Sequence, residues 1–278
     1  MIQDLIQKYK SEGIAFQLIF WNVIIFIISI PIFYQFQYLK YNFPDYLVFN
    51  SEKWYFYSWT IVSYAFFHNG VLHLVFNMFF LYIYSYLFFI FFNSKQFIRI
   101  YIYGIIFSII FSYIFHLVLN FPSYTVVGSS GAIITLFFAC TYYVPKYKIN
   151  ILMLNIELWI IASVIFLYFI TMLYSGNNQS GNLVHIGGAI GGILWGYYIK
   201  KGIEISGFLQ IIFNIFKVKP KKSSIKPIHL NKKNTPQHTQ KNKNQIKIDA
   251  ILDKISKRGY ESLSNDEKTL LFNQKNEN

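Results

Sequence analysis

Apolar residues run through this chain in blocks too long for a water-soluble fold. No charged residue stands between Lys53 and Lys95, between Arg99 and Lys146, or between Glu157 and Lys200. One helix crosses a bilayer in about 20 residues, so the second and third blocks each have room for two crossings. With the apolar run that follows Gly13, the pattern predicts six helices, near 17–36, 72–92, 98–119, 129–144, 157–174 and 183–199. Within lipid the backbone groups of a span must pair internally, and in an unclosed chain only helices achieve this. The expected fold class is all-α, a polytopic six-helix membrane bundle with a small cytoplasmic C-terminal helical extension.

Composition agrees and narrows the function. Of 278 residues, 54% are hydrophobic and 13% charged, against about 25% charged in a soluble domain. An ordinary soluble enzyme is excluded. Cys140 is the single cysteine, which excludes an internal disulfide and any cysteine-built zinc or iron–sulfur site. No metal and no cofactor is expected. The first apolar run has no small-residue cleavage site behind it and is read as a retained helix.

Basic residues set the direction of the helices. Lys8 and Lys10 precede helix 1, Lys95 and Arg99 join helices 2 and 3, Lys146 and Lys148 join helices 4 and 5, and Lys200 and Lys201 follow helix 6. The opposite connections are uncharged, except for the 37–71 loop, where Lys40 and Lys53 face Asp45 and Glu52. Both termini are therefore expected in the cytoplasm. The expected organisation is a cytoplasmic segment over 1–16, a membrane domain over 17–201, a flexible linker over 202–245 and a helical hairpin over 246–278. Lys217–Lys247 carries ten lysines and no acid, a composition that cannot fold alone. It reads as a tail lying on anionic lipid headgroups, and no nucleic acid is expected as a partner. Beyond it, Ile248, Ile251, Leu252 and Ile255 recur at helical spacing, Gly259 interrupts, and Ser264 with Glu267 forms a capping box.

Polar groups within lipid are costly and point to function or helix packing. Helices 2, 4 and 6 run the same way, and each carries polar residues near its start, so three distant sites share one depth. Ser130, in Gly128-Ser129-Ser130-Gly131, opens helix 4, where unpaired N–H groups and the positive dipole end favour a developing anion. Its flanking glycines, Gly128 and Gly131, would let a substrate backbone come close. As a bland alternative, the string is a flexible turn that caps a helix. His185 sits three residues before Gly188, and Gly188 and Gly192 form a small-residue face on which another helix can pack closely. If that helix is helix 4, His185 meets Ser130. Gly104 and Gly202, off this face, should tolerate a larger side chain better. His73 and Asn77 share a face of helix 2 and can donate hydrogen bonds while neutral, as an oxyanion hole requires; a polar pair bracing the loop above is the alternative. His116 reads as structural. The charge-free blocks hold no carboxylate, and only Asp45 and Glu52 in the outer loop could intrude. A Ser–His dyad is favoured over a triad.

These motifs resemble the rhomboid intramembrane serine proteases over roughly all six helices. The likeness rests on His73 with Asn77 four later, Gly-x-Ser-Gly at Gly128–Gly131, and the His185, Gly188, Gly192 string. The resemblance implies Ser130 as nucleophile, His185 as general base, and His73, Asn77 and the Ser130 N–H as oxyanion donors. It also implies transmembrane protein substrates cut near the outer face, and residence in a bacterial cytoplasmic membrane. His68 matches a histidine often found five before the helix 2 histidine. Trp59 matches an outer-loop tryptophan that many members follow with arginine, where this chain has Thr60. Many bacterial members place tyrosine four after the nucleophile, under the imidazole, where this chain has Ile134. The competing expectation is a proteolytically inert rhomboid-like scaffold that binds membrane clients.

Overall fold

The computed structural model describes residues 13–35, 40–151, 153–176 and 178–209, and near the C-terminus 250–251, 254–255 and 262–269. The chain divides into two compact units, Met1–Val218 and Lys219–Asn278. The leader before Gly13, the lysine-rich stretch, Ile248, Leu252 and Gly259 lie outside the described residues.

Among the described residues, the first unit is built on six long helices: α1 (Ile14–Phe33), α2 (Val71–Phe91), α3 (Ser94–Leu119), α4 (Ser130–Tyr143), α5 (Leu158–Tyr174) and α6 (Gln179–Lys200). Among the described residues, α1, α2 and α3 are long and apolar enough to cross a membrane, while α4 and α5 are apolar but shorter. Boundaries depart from the expected ones where polar residues shape the helix ends. α3 starts at Ser94 rather than near 98 because Asn93 and Gln96 form a capping box: Asn93 Oδ1 accepts from the Gln96 N–H and Gln96 Oε1 from the Asn93 N–H, both at 3.1 Å. α6 starts at Gln179 rather than near 183, its first turn being built from polar residues that an apolar-length reading passes over.

α4 is the centre of the bundle. From Gly131 to Thr141 every residue except Ile134 is buried, and α6, α3 and α2 all pack on it. That suits a helix apolar on all sides. Gly188, Gly192 and Gly196 of α6 face α4, while Gly187 and Gly191 face Phe111 and Phe107 of α3. A Cβ on Gly188 would collide with the Gly131 carbonyl, and one on Gly192 would lie 2.5 Å from the Thr135 carbonyl. The helices therefore touch through backbone, as small-residue stripes allow. Thr135 binds them together by donating to the carbonyls of Gly131 at 2.8 Å and Gly188 at 3.0 Å.

Gly104 does not behave as expected. It belongs to the same close-packed centre, because a Cβ there would lie 2.8 Å from the Thr135 side chain and 3.0 Å from Ala132 Cα. Gly202 has open space around it, but its φ of +77° disfavours any side chain. Gly207, with neither a neighbour within 4 Å nor a positive φ, is the proper control. Gly188→Ala, Gly192→Ala and Gly104→Ala should each destabilise the protein by about 1–3 kcal/mol through overpacking. Gly207→Ala should leave the melting temperature in detergent close to that of the parent.

The segment between α1 and α2 is more than a surface connection. It forms β1 (Tyr34–Gln35) with β2 (Lys40–Tyr41), then β3 (Phe49–Asn50), then a helical turn at Thr60–Ser63 that runs into a 3-10 turn at Tyr64–Phe66. Val48, Phe49, Tyr64, Ala65 and His68 are buried. β3 pairs antiparallel with β4 (Thr125–Val126), the strand leading to α4, in the register Phe49 with Val126 and Asn50 with Thr125. Asp45 accepts from Lys53 at 2.6 Å and Asn50 at 2.8 Å. The Lys53 hydrogen bond foremost, with that of Asn50, holds this carboxyl below its ordinary range. Trp59 Nε1 donates to the Tyr46 carbonyl at 2.7 Å, and Thr60 is buried with its hydroxyl on the Tyr57 carbonyl at 2.7 Å. A second short hairpin, β5 (Lys148–Ile151) with β6 (Leu154–Glu157), joins α4 to α5. Behind α6, Arg99 pairs with Glu204 at 3.0 Å and Trp195 Nε1 donates to Ser206 Oγ at 3.0 Å, which fixes the chain as it leaves the bundle.

In the second unit, Ser264 and Glu267 form the expected capping box, the Ser264 N–H donating to Glu267 at 2.8 Å and the Glu267 N–H to Ser264 Oγ at 3.3 Å. Lys254 pairs with Glu267 at 2.8 Å, and Ile251 and Leu263 are buried.

Candidate active site

The starts of α2, α4 and α6 meet around a cavity of about 640 Å³ lined by His73, Asn77, Ser130 and His185 among others. All four residues singled out for chemistry thus face one space. Among the described residues, no carboxylate lines it. Ser130 is the first residue of α4 and His185 the seventh of α6. The close approach of the two helices at Gly188 and Gly131 brings His185 Nε2 to 2.8 Å from Ser130 Oγ. The other imidazole nitrogen, Nδ1, is buried without a hydrogen-bond partner among the described residues. With no acceptor on Nδ1 to orient it, the ring is held by packing: Phe169 of α5 lies against it, centroids 4.7 Å apart and planes at 46°. A ring from α5 therefore stands against the imidazole, and Ile134 of α4 lines the cavity.

His73 has a defined tautomer. The Asn69 N–H donates to His73 Nδ1 at 3.2 Å, so Nδ1 is the acceptor and Nε2 carries the proton in the neutral ring. That ring sits where a Cβ on Gly128 would be, 2.8 Å from His73 Nε2. Gly128 has φ +111° and donates its N–H to the Tyr64 carbonyl at 3.0 Å. Its role is to admit the protein's own imidazole. Gly131 likewise leaves room for Ser108 and Val184. A Cβ on either glycine would therefore meet the protein's own side chains.

Asn77 Nδ2 donates to the His73 carbonyl at 2.8 Å, and Asn77 Oδ1 accepts from Ser129 Oγ at 3.4 Å. Ser129 is the N-cap of α4 but makes no side-chain capping bond. The turn-and-cap reading of the Gly-Ser-Ser-Gly string fails on this point, and the N–H groups of the first turn of α4 receive no cap from it. His68 is fully buried beside His73, ring centroids 5.2 Å apart, and does not line the cavity. His116 lies 5.0 Å from the Tyr124 ring in edge contact, also outside the lining. Ser129, Thr135 and Phe169 escaped sequence reasoning. Only Ser129 left a signal there, as a polar residue at the same depth as its neighbour.

Two family models match the chain: Rhomboid domain over residues 55–202, and a family of unknown function (DUF6576) over residues 238–273. No curated protein matches it. The first match spans more than half of the chain and takes in α2 through α6, hence every residue around the cavity named above. With its long apolar helices, the chain is an integral membrane protein, and it belongs to the rhomboid family.

Proposed function

We propose that this protein is an intramembrane serine endopeptidase that cleaves other membrane proteins in or beside a transmembrane segment. The observation that carries the reading is the 2.8 Å contact between His185 Nε2 and Ser130 Oγ, on helices packed backbone to backbone. Ser130 Oγ attacks the carbonyl carbon of the scissile bond while His185 Nε2 takes the hydroxyl proton. Negative charge on the former carbonyl oxygen is met by His73 Nε2–H, by Asn77 Nδ2–H and by the Ser130 N–H at the positive end of α4. The peptide C–N bond then breaks, His185 returns the proton to the leaving amine, and water releases the acyl group by the same steps. The scheme needs no metal and no organic cofactor.

In this reading all six helices span the bilayer, with both termini in the cytoplasm of a bacterial cell, and the cavity lies a few residues below the outer face. α4, about 21 Å long by its 14 residues, is the span most enclosed by the other helices. Substrate arrives from lipid between α2 and α5, whose Phe76, Phe80, Ile165 and Tyr168 wall the cavity. The membrane domain is 17–201, and the chain beyond it takes no part in the chemistry.

Single-span proteins reconstituted with the enzyme in proteoliposomes test the reading. Mass spectrometry of the products should place the cut within a few residues of the boundary at which α2, α4 and α6 begin. Cuts confined to water-exposed domains far from the bilayer would contradict it.

A further inference from the structure

We infer that Ser129 is a positioning residue that fixes which end of the Asn77 amide faces the cavity, an inference that rests on the dyad reading above. A side-chain amide has two ends of nearly equal size and opposite hydrogen-bonding character. Nδ2 turned toward a developing oxyanion stabilises it, and Oδ1 in the same place repels it. Two contacts define the orientation of Asn77: Nδ2 donates to the His73 carbonyl at 2.8 Å, and Oδ1 accepts from Ser129 Oγ at 3.4 Å. Turned over, the amide would set oxygen against the His73 carbonyl and leave Ser129 without its acceptor.

A serine at a helix N-cap ordinarily spends its hydroxyl on the first-turn N–H groups. Ser129 does not. It is 1% exposed, and its side chain points to Asn77 instead. Asn77 Oδ1 can only accept, so Ser129 donates its proton to it.

The test is a double-mutant cycle on the purified full-length protein with a reconstituted single-span substrate. Ser129→Ala should lower kcat about tenfold, part of the roughly 10² to 10³ that a whole oxyanion donor contributes, with KM unchanged. In an Asn77→Ala background the same substitution should cost nothing further. Should Ser129→Ala fail to fold, Ser129→Cys, which keeps the size of the side chain but donates only weakly, decides alone, with the same loss expected in the parent and none in the Asn77→Ala background. Equal losses with and without Asn77, or a normal kcat in the folded single variants, would overturn the inference. Failure of the dyad reading itself would show separately, as cleavage that survives Ser130→Ala.

Discussion

Ser130→Ala and His185→Ala should each abolish cleavage, lowering kcat by on the order of 10⁴ or more, while the protein remains folded. The two residues form one unit, since a serine hydroxyl is a poor nucleophile until a base within hydrogen-bonding reach takes its proton. The double variant should therefore be little worse than either single one. Neither side chain belongs to the buried core: both residues are half-buried at the cavity, and His185 loses only its contact with Phe169. Melting in detergent should shift by only a few degrees. The measurement is turnover of a reconstituted single-span substrate, with melting followed on the same samples.

His73→Ala and Asn77→Ala should give partial losses, each about 10² to 10³ in kcat, with KM changed little. The charge they meet exists only in the tetrahedral intermediate and its transition states, so the effect belongs to the chemical step. His73 should be the more damaging of the two to stability. Its ring fills the space left by Gly128 and accepts from the Asn69 N–H, so its loss opens a void and removes a hydrogen bond at the start of α2. If Asn77→Ala cleaved at the normal rate with unchanged melting, the face of α2 at the cavity would be structural only.

Long uncharged blocks and the polar residues at helix starts made the helices and the four candidate residues legible in the sequence. An apolar run long enough to be a helix is a local property, and so is a histidine three residues before a glycine. What stayed hidden depends on partners far along the chain. Gly104 looks like any helix glycine until the Thr135 side chain is placed over it. Phe169 is one aromatic among many until α5 brings it against His185. The 37–71 connection reads as a loop because its buried residues, Val48, Phe49, Tyr64 and His68, follow no single period. Ser129 is ambiguous for a related reason, since its hydroxyl could equally well cap its own helix, and only the position of Asn77 distinguishes the two uses.

An activated serine can be detected without knowing the physiological substrate. Purified protein in detergent is incubated with a fluorophosphonate probe, and the modified residue is located by peptide mass spectrometry. The expected adduct is on Ser130, absent in Ser130→Ala and strongly reduced in His185→Ala, which lacks the base that makes the hydroxyl reactive. No adduct on folded parent protein, or equal labelling in Ser130→Ala, would contradict an active serine at the start of α4.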